Sequence, residues 1–472
     1  MQIIGRNKEC ERLERCLKET QAQLIVVSGR RRVGKTFLID NFFENKIDFK
    51  FTGSYNQDKK TQLTNFITEL NSLSNKEYAI PSNWQEAFNL LKEYIISRPK
   101  EEKTVIFFDE MPWMDSQASN FLPAFEWFWN GWGSSRENLV FILCGSATSW
   151  ISEKILENKG GLFNRLTCSI FLEPFSLYET EQYLLSRNIN WSRYDITLLY
   201  MVLGGIPFYL RLLDPELTVD QNINNLFFKK RGELWNEFDN LYQTLFKNSK
   251  NYIAVVEALS NKRIGLSRKD ISNKTKLSNN GELSKILKDL VACGFVREYT
   301  FYGNKKKDTL YQLADYYSIF YFKYIRDNYG KDDRYWINMR DNPSRAVWAG
   351  LTFEQVCKDH INQIKNRLGI LGVLTSSSSW FNDEAEIDML IERRDGVINI
   401  CEDKFSINEF EIDKEYHGKL VNKIESFKQA TKSNKTIQLT MITTFGLKQN
   451  KYSNIVTNQV TLDDLFEKEK NI

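Results

Sequence analysis

One stretch constrains this chain more than any other: Ser28-Gly29-Arg30-Arg31-Arg32-Val33-Gly34-Lys35-Thr36, set between the apolar run Leu24-Ile25-Val26-Val27 and the helical pattern Phe37, Leu38, Ile39. The spacing G-x-x-x-x-G-K-T ends a strand, wraps, and opens a helix. Glycines at both ends let successive backbone N–H groups close around an anion at the helix N-terminus. Lys35 is then expected to reach the β- and γ-phosphates and Thr36 to ligate Mg²⁺, so the expected ligand is ATP with Mg²⁺, held by Gly29 through Phe37. Arg30, Arg31 and Arg32 are explained equally well by a solvated basic loop and by substrate contact.

At 472 residues the chain exceeds one ordinary core, and roughly three or four domains are expected. Its 64 basic and 61 acidic residues leave a net charge of +3, so a nucleic-acid site has to be a local patch. The seven cysteines are scattered without a C-x-x-C pair and read as reduced thiols. With only His360 and His417, a zinc centre or a histidine-based hydrolase has too little material. No segment is apolar for long enough to span a bilayer and the N-terminus shows no signal-peptide pattern, which gives the expectation of a soluble, cytoplasmic protein without membrane contact.

Thr104-Val105-Ile106-Phe107-Phe108 is a continuous apolar run, as suits a strand buried on both faces of a parallel sheet, and it ends in Asp109-Glu110. At the carboxyl end of such a strand Asp109 can hold the magnesium through water and Glu110 can polarise the attacking water. Glu110 therefore points to hydrolysis rather than passive binding. The aromatic residues between Phe121 and Trp132 read as a packed helix or a domain contact. A further buried strand, Leu139 to Cys144, leads into Gly145-Ser146, where Ser146 is either a γ-phosphate sensor or a helix cap. Arg165 is either an arginine that stabilises transferring phosphate, in cis or in trans, or a surface residue. Ser176-x-x-Glu179 reads as a capping box, and Gly204-Gly205-Ile206-Pro207 as a helix C-cap followed by a proline-initiated helix.

Together with Gly5-Arg6, these motifs resemble the archaeal-type ATPase family, related to the STAND-like NTPases within the AAA-related, RecA-like P-loop class. The resemblance covers about the first half of the chain. It implies that Gly5 and Arg6 lie near the adenine and that Pro207 of a helical lid does too. A homo-oligomer is compatible with the sequence, which leaves the oligomeric state open.

Residues 251–320 change character. Three short helices, the last with Leu283, Ile286, Leu287, Leu290 and Val291 at helical spacing, meet a hairpin tipped by Lys305-Lys306-Lys307. This is the winged-helix order. Ser284, Lys285 and Lys288 would face a groove of DNA and the tip lysines would touch phosphate, while Glu282 and Asp289 on the same helix count against it.

Further on, Glu386 to Ile391 and Val397 to Lys404 form two strands joined near Gly396. A two-residue turn pairs Asp388 with Asp403, whereas a three-residue Arg394-Asp395-Gly396 loop pairs it with Glu402. The second register is expected because it gathers the acids. Asp388, Glu402 and Lys404 then resemble the D…E-x-K core of the PD-(D/E)XK nuclease class, with Glu354 as its helix carboxylate. The same archaeal-type ATPases often carry a C-terminal domain of unknown function with this signature. A second divalent metal, Mg²⁺ or Mn²⁺, would bridge Asp388 and Glu402.

The expected fold is thus α/β: a RecA-like P-loop core over residues 1–180, a helical lid over 181–248, a winged helix over 249–318, a helical linker over 319–345 and a restriction-endonuclease-like domain over 346–472. The expected function is an ATP-hydrolysing switch, acting on DNA, coupled to the nuclease-like domain. The competing expectation is a non-catalytic, nucleotide-dependent signalling scaffold with a degenerate nuclease fold.

Overall fold

The structure is a computed structural model that describes residues 2–470 except 75, 117, 147, 157–159, 163, 247, 305–307 and 329, with the backbone alone at 45, 148 and 149. The chain forms two compact units, Met1–Pro174 and Phe175–Ile472.

In the first unit five strands, β1 (Gln23–Gly29), β2 (Phe49–Thr52), β3 (Thr104–Asp109), β4 (Leu139–Gly145) and β5 (Cys168–Leu172), build a parallel sheet in the order β2-β3-β4-β1-β5. Every residue of β1, β3 and β4 is buried, which is why those runs are apolar without alternation. One sheet face carries an aromatic core in which Phe49, Phe66, Trp84, Phe88 and Phe108 pack with Phe121, Phe125 and Phe128 of helix Phe121–Gly131. The aromatic run is therefore mainly core, as its spacing indicates, each ring contributing about 1.5–3 kcal/mol by burial. Trp127 departs from it, at 48% exposure.

The second unit opens with helix Leu177–Ser186, started by the Ser176/Glu179 capping box. Helix Arg193–Leu203 ends at Gly204 in the left-handed conformation, and Pro207 occupies the first turn of helix Pro207–Leu210. Gly205, φ 64°, lies so close to the carbonyl of Phe175 that a Cβ would meet it at 2.2 Å, so no side chain fits. Helices Val219–Phe227 and Glu237–Leu245 follow.

Next come helix Ser249–Ser260, β6 (Leu266–Ser267), helices Arg268–Thr275 and Gly281–Ala292, and the antiparallel hairpin β7 (Val296–Tyr299) and β8 (Leu310–Leu313), with sheet order β6-β8-β7. The expected hairpin tip, Lys305 to Lys307, lies outside the described residues. After helix Pro343–Asp359, strands β9 (Thr375–Phe381), β10 (Glu386–Arg393), β11 (Val397–Lys404), β12 (Thr436–Thr443) and β13 (Asn458–Thr461) form a mixed sheet in the order β13-β12-β11-β10-β9. Helix Pro343–Asp359 packs on β11, and helix Lys414–Thr431 supplies Leu420 and Phe427 to the core on the opposite face.

His360 joins two parts of this unit. It is 2% exposed, and the backbone N–H of Leu177 donates to its Nε2 at 3.0 Å. Nδ1 must then carry the proton, donating to the Val356 carbonyl at 2.8 Å. Burial lowers its proton affinity below the ordinary value near 6.5. The unfolded chain therefore binds a proton that the folded chain refuses, and stability rises with pH across the interval between the two values. The contribution is complete above about pH 6.5 and is lost as pH falls below it, by at most about 1.4 kcal/mol per pH unit. Urea midpoints of the second unit's transition, measured at pH 7.5 and 5.5, should fall for the wild type and fall less for His360→Gln; equal drops would contradict this.

Candidate functional site

Gly29 ends β1 with φ 145° and Gly34 precedes helix Lys35–Phe43 with φ 90°, so the loop between them turns where its glycines allow. No side chain caps that nine-residue helix. Its first N–H groups are thus left to an anion. Lys35, 6% exposed, folds over the loop and donates from Nζ to the carbonyls of Gly29 and Arg30, each at 3.0 Å. Arg6, left-handed at φ 59° and 5% exposed, donates to the Val33 carbonyl at 3.2 Å. Gly5-Arg6 and the loop are therefore brought together. Phe37 is exposed, and Arg31 and Arg32 are half-buried.

Thr36 Oγ1 donates to Asp109 Oδ2 at 2.6 Å, and Asp109 Oδ1 accepts from the N–H of Glu110 at 2.9 Å. Glu110 itself is left-handed, φ 49°, a conformation that costs a non-glycine residue and tends to persist at functional positions. Its carboxylate accepts from Ser146 Oγ at 3.0 and 2.9 Å. Ser146 stands at the end of β4, which lies between β1 and β3 in the sheet. One half-buried threonine hydroxyl, one buried carboxylate and the loop N–H groups are the donor set that Mg²⁺ and a triphosphate require, so the residues fit both.

Arg165 is exposed, in the turn before β5. Because β5 runs parallel to β1, pairing Cys168 with Ile25 and Leu172 with Gly29, Arg165 stands at the end of the sheet opposite to the phosphate loop. Five residues of strand separate the two ends, roughly 16 Å. That separation speaks against action on the chain's own phosphates. Pro207 is half-buried in the second unit.

On helix Gly281–Ala292, Leu283, Ile286, Leu287 and Leu290 are buried, whereas Ser284, Lys285 and Lys288 are exposed. Asp289, expected to oppose DNA, is instead 3% exposed and accepts from the Tyr252 hydroxyl at 2.5 Å. Its charge is turned into the core, and Glu282 bonds Asn251.

The expected Asp388–Glu402 metal pair is not formed. The register is the expected one, with Met389 opposite Cys401, Leu390 opposite Ile400 and Gly396 at φ 87° in the loop. Against β9, however, Ile387 pairs with Trp380 and Leu390 with Ser378, so β10 carries one extra residue between them. This bulge lets Ile387 and Leu390 both enter the core beside Ile398, Ile400 and Phe427. Asp388 therefore points the other way, with Glu386, towards helix Pro343–Asp359. Glu402 follows Ile398 and Ile400 to the opposite face, where Lys404 and Lys423 contact it at 2.8 and 2.6 Å and the Tyr416 hydroxyl donates to it at 2.5 Å. Burial opposes its charge, but the two ammonium groups hold the carboxyl down to about 2.

On the other face Arg263, which no motif singles out, donates to Glu354 and Asp388 at 2.5 Å each and also to Glu386. Burial, then the neighbouring Asp388, push Glu354 up to about 7. Asp403 is raised well above the carboxylate range by burial and by Glu354 and Asp388. Among the described residues no group of three or more acidic, histidine or cysteine side chains is arranged to hold a metal.

Residues 3–213 match a family described as an ATPase domain predominantly from Archaea. An uncharacterized protein of Methanocaldococcus jannaschii is 23% identical over 393 residues, 82% of this chain and 84% of that protein. A second protein of that organism, described as an uncharacterized ATP-binding protein, is 54% identical over 44 residues, 9% of this chain and 75% of its own. Among solved structures, the Walker-type ATPase PABY2304 of Pyrococcus abyssi has 17% identity and a TM-score of 0.47, covering 68% of this chain and 96% of its own.

Gly29→Ala tests the loop geometry: the new Cβ would lie 2.4 Å from the Leu172 carbonyl oxygen at a φ of 145°. The expected loss is about 1–3 kcal/mol, a fall of about 2–4 °C in melting temperature per kcal/mol for a unit of this size, with weakened nucleotide binding. Calorimetry showing an unchanged melting temperature would refute the close approach.

Proposed function

We propose that this chain, whose residues 3–213 form an ATPase domain of the archaeal kind, hydrolyses ATP and works as a nucleotide-driven switch on DNA. The observation that carries the reading is the constellation of Lys35, Thr36, Asp109, Glu110 and Ser146 around one helix N-terminus. A magnesium ion held by Thr36 and Asp109 would neutralise charge on the β- and γ-phosphates. Lys35 leaves two neutral carbonyls for the phosphate oxygens, an exchange favoured by full charge. Glu110 polarises the attacking water, and Ser146, bonded to both its oxygens, sets where that carboxylate points. Gly5 and Arg6 border the adenine. Arg165, at the far end of its own sheet, acts on the nucleotide of a neighbouring copy, which makes the active form a homo-oligomer.

Residues 249–318 are read as a winged helix whose face Ser284, Lys285 and Lys288 meets DNA, supported by the inward turn of Asp289. Residues 346–472 are read as a nuclease-like fold whose acidic residues have been rearranged. A non-catalytic scaffold is the second reading, favoured by the bonds that tie both Glu110 oxygens to Ser146.

Phosphate release and nucleotide binding separate the two. Lys35→Ala should lose nucleotide, while Glu110→Gln should keep ATP and slow its turnover by at least about a hundredfold. Normal turnover in either variant, or none in the wild type with or without DNA, would overturn the ATPase reading. Arg165→Ala should be slow alone and regain turnover when mixed with Glu110→Gln, since each supplies what the other lacks.

Replacing Lys285 and Lys288 by alanine should weaken DNA binding and reduce the slope of log affinity against log salt by up to about one for each phosphate that these lysines neutralise. An unchanged slope in fluorescence anisotropy would assign that face to protein contact.

A further inference from the structure

Arg263 lies in the connection between helix Ser249–Ser260 and β6, and two backbone carbonyls of that connection are bonded by side chains of the small sheet. Gln312 Nε2 donates to the Arg263 carbonyl at 2.6 Å, and the Tyr299 hydroxyl donates to the carbonyl of Ile264. At Gly265, φ 84°, a Cβ would come within 2.5 Å of the Tyr311 carbonyl oxygen. From this anchored turn the guanidinium crosses to two other elements. Nη1 is shared by Glu354 of helix Pro343–Asp359 and Asp388 of β10, and Nη2 bonds Glu386.

Arginine usually serves one carboxylate with two parallel bonds. Here one nitrogen bridges two carboxylates from different elements, the position a cation takes between two oxygen ligands. Bonded at 2.5 Å each, the two oxygens are at most twice that distance apart, and a Mg²⁺ ion with ligand bonds of about 2.1 Å would draw them together only slightly. A second feature of the same face points to an absent ligand. Both carboxylate oxygens of Asp403 are buried with no N–H or O–H group bonded to them, only the weakly donating Cys357 thiol lying against the carboxylate, and the residue is 9% exposed. Glu354, Asp388, Glu402 and Lys358 are the charged groups that act on it.

We propose that Arg263 is a built-in plug: its guanidinium occupies the place where Glu354, Asp388 and Asp403 would hold a divalent cation, so the C-terminal sheet takes up metal only when the turn carrying Arg263 withdraws. The residues differ from the Asp388–Glu402 set expected from sequence, and Glu402 and Lys404 have no part in it. The plug stands on this side-chain cluster alone, independent of what the first unit does with nucleotide.

The test uses the full chain, free of nucleotide and stripped of metal, titrated with Mn²⁺ while free Mn²⁺ is followed by electron paramagnetic resonance. Arg263→Gln should bind about one Mn²⁺ per chain more than the wild type and melt higher with Mn²⁺ than without. Arg263→Gln with Asp388→Asn should return to the wild-type level. Equal uptake by wild type and Arg263→Gln, or uptake that survives Asp388→Asn, would overturn the plug and leave Arg263 as a structural ion pair. Should Arg263→Gln fail to fold by circular dichroism, Arg263→Lys replaces it, because a point charge cannot serve three carboxylates at once. Partial, Asp388-dependent uptake by Arg263→Lys is then expected, and wild-type behaviour would overturn the proposal.

Discussion

The bond from Thr36 Oγ1 to Asp109 Oδ2, 2.6 Å long, depends on almost everything else in the first unit. It joins the residue after the phosphate loop to the last residue of β3, yet β1 and β3 are not neighbours: β4 lies between them. A threonine and an aspartate 73 positions apart in sequence meet only if that strand order is kept. The order is kept by burial. β1, β3 and β4 are covered on both faces, and Phe108, one residue before Asp109, packs with Phe49, Phe88 and Phe141. A slip of one residue in β3 would exchange Phe108 for Asp109 in that core, at the cost of burying an unpaired carboxylate. Core packing and site geometry are thus one constraint.

The same constraint explains why the nucleotide site is legible in sequence. A strand buried on both faces in a parallel sheet must be apolar without interruption, and a loop that wraps phosphate must place glycine where φ is positive. Both leave local marks, at Leu24 to Val27 and at Gly29 and Gly34. Other strands leave none. β9, Thr375-Ser-Ser-Ser-Ser-Trp-Phe, is an edge strand with exposed serines, and nothing local separates it from a loop. Asp289 departs from its expected role for a related reason. Helical spacing places it near Lys285 and Lys288, but the Tyr252 hydroxyl that takes its charge inward comes from another helix.

The C-terminal sheet divides along the same line. Its hairpin register can be read from the chain because Gly396 marks the left-handed position of a three-residue loop. The bulge in β10 cannot, because it is defined by a count of residues against β9, and Ile387-Asp388-Met389-Leu390 contains no glycine to announce it. One inserted residue sends Asp388 to the face of Glu354 and leaves Glu402 with Lys404 and Lys423 on the other. Arg263, 91 and 125 positions from the acids it joins, is beyond any local pattern.

The two clusters place a cationic side chain against oxygen atoms on different terms. Lys35 rests on two neutral carbonyls, each hydrogen bond contributing about 1.5–3 kcal/mol with a charged donor, and a triphosphate offers the same ammonium a stronger partner. Binding there replaces a weaker contact with a stronger one, and the loop need not be opened first. Arg263 instead carries a full charge among three carboxylates that lie partly out of water. Removing it leaves like charges facing one another, which is unfavourable unless a cation of higher charge replaces it. The first arrangement yields to ligand concentration alone. The second yields only to an exchange of cations coupled to movement of the Arg263 turn, and that turn is fastened to the small sheet by Tyr299 and Gln312. A displacement of the small sheet is therefore the motion to which the acidic cluster is mechanically tied.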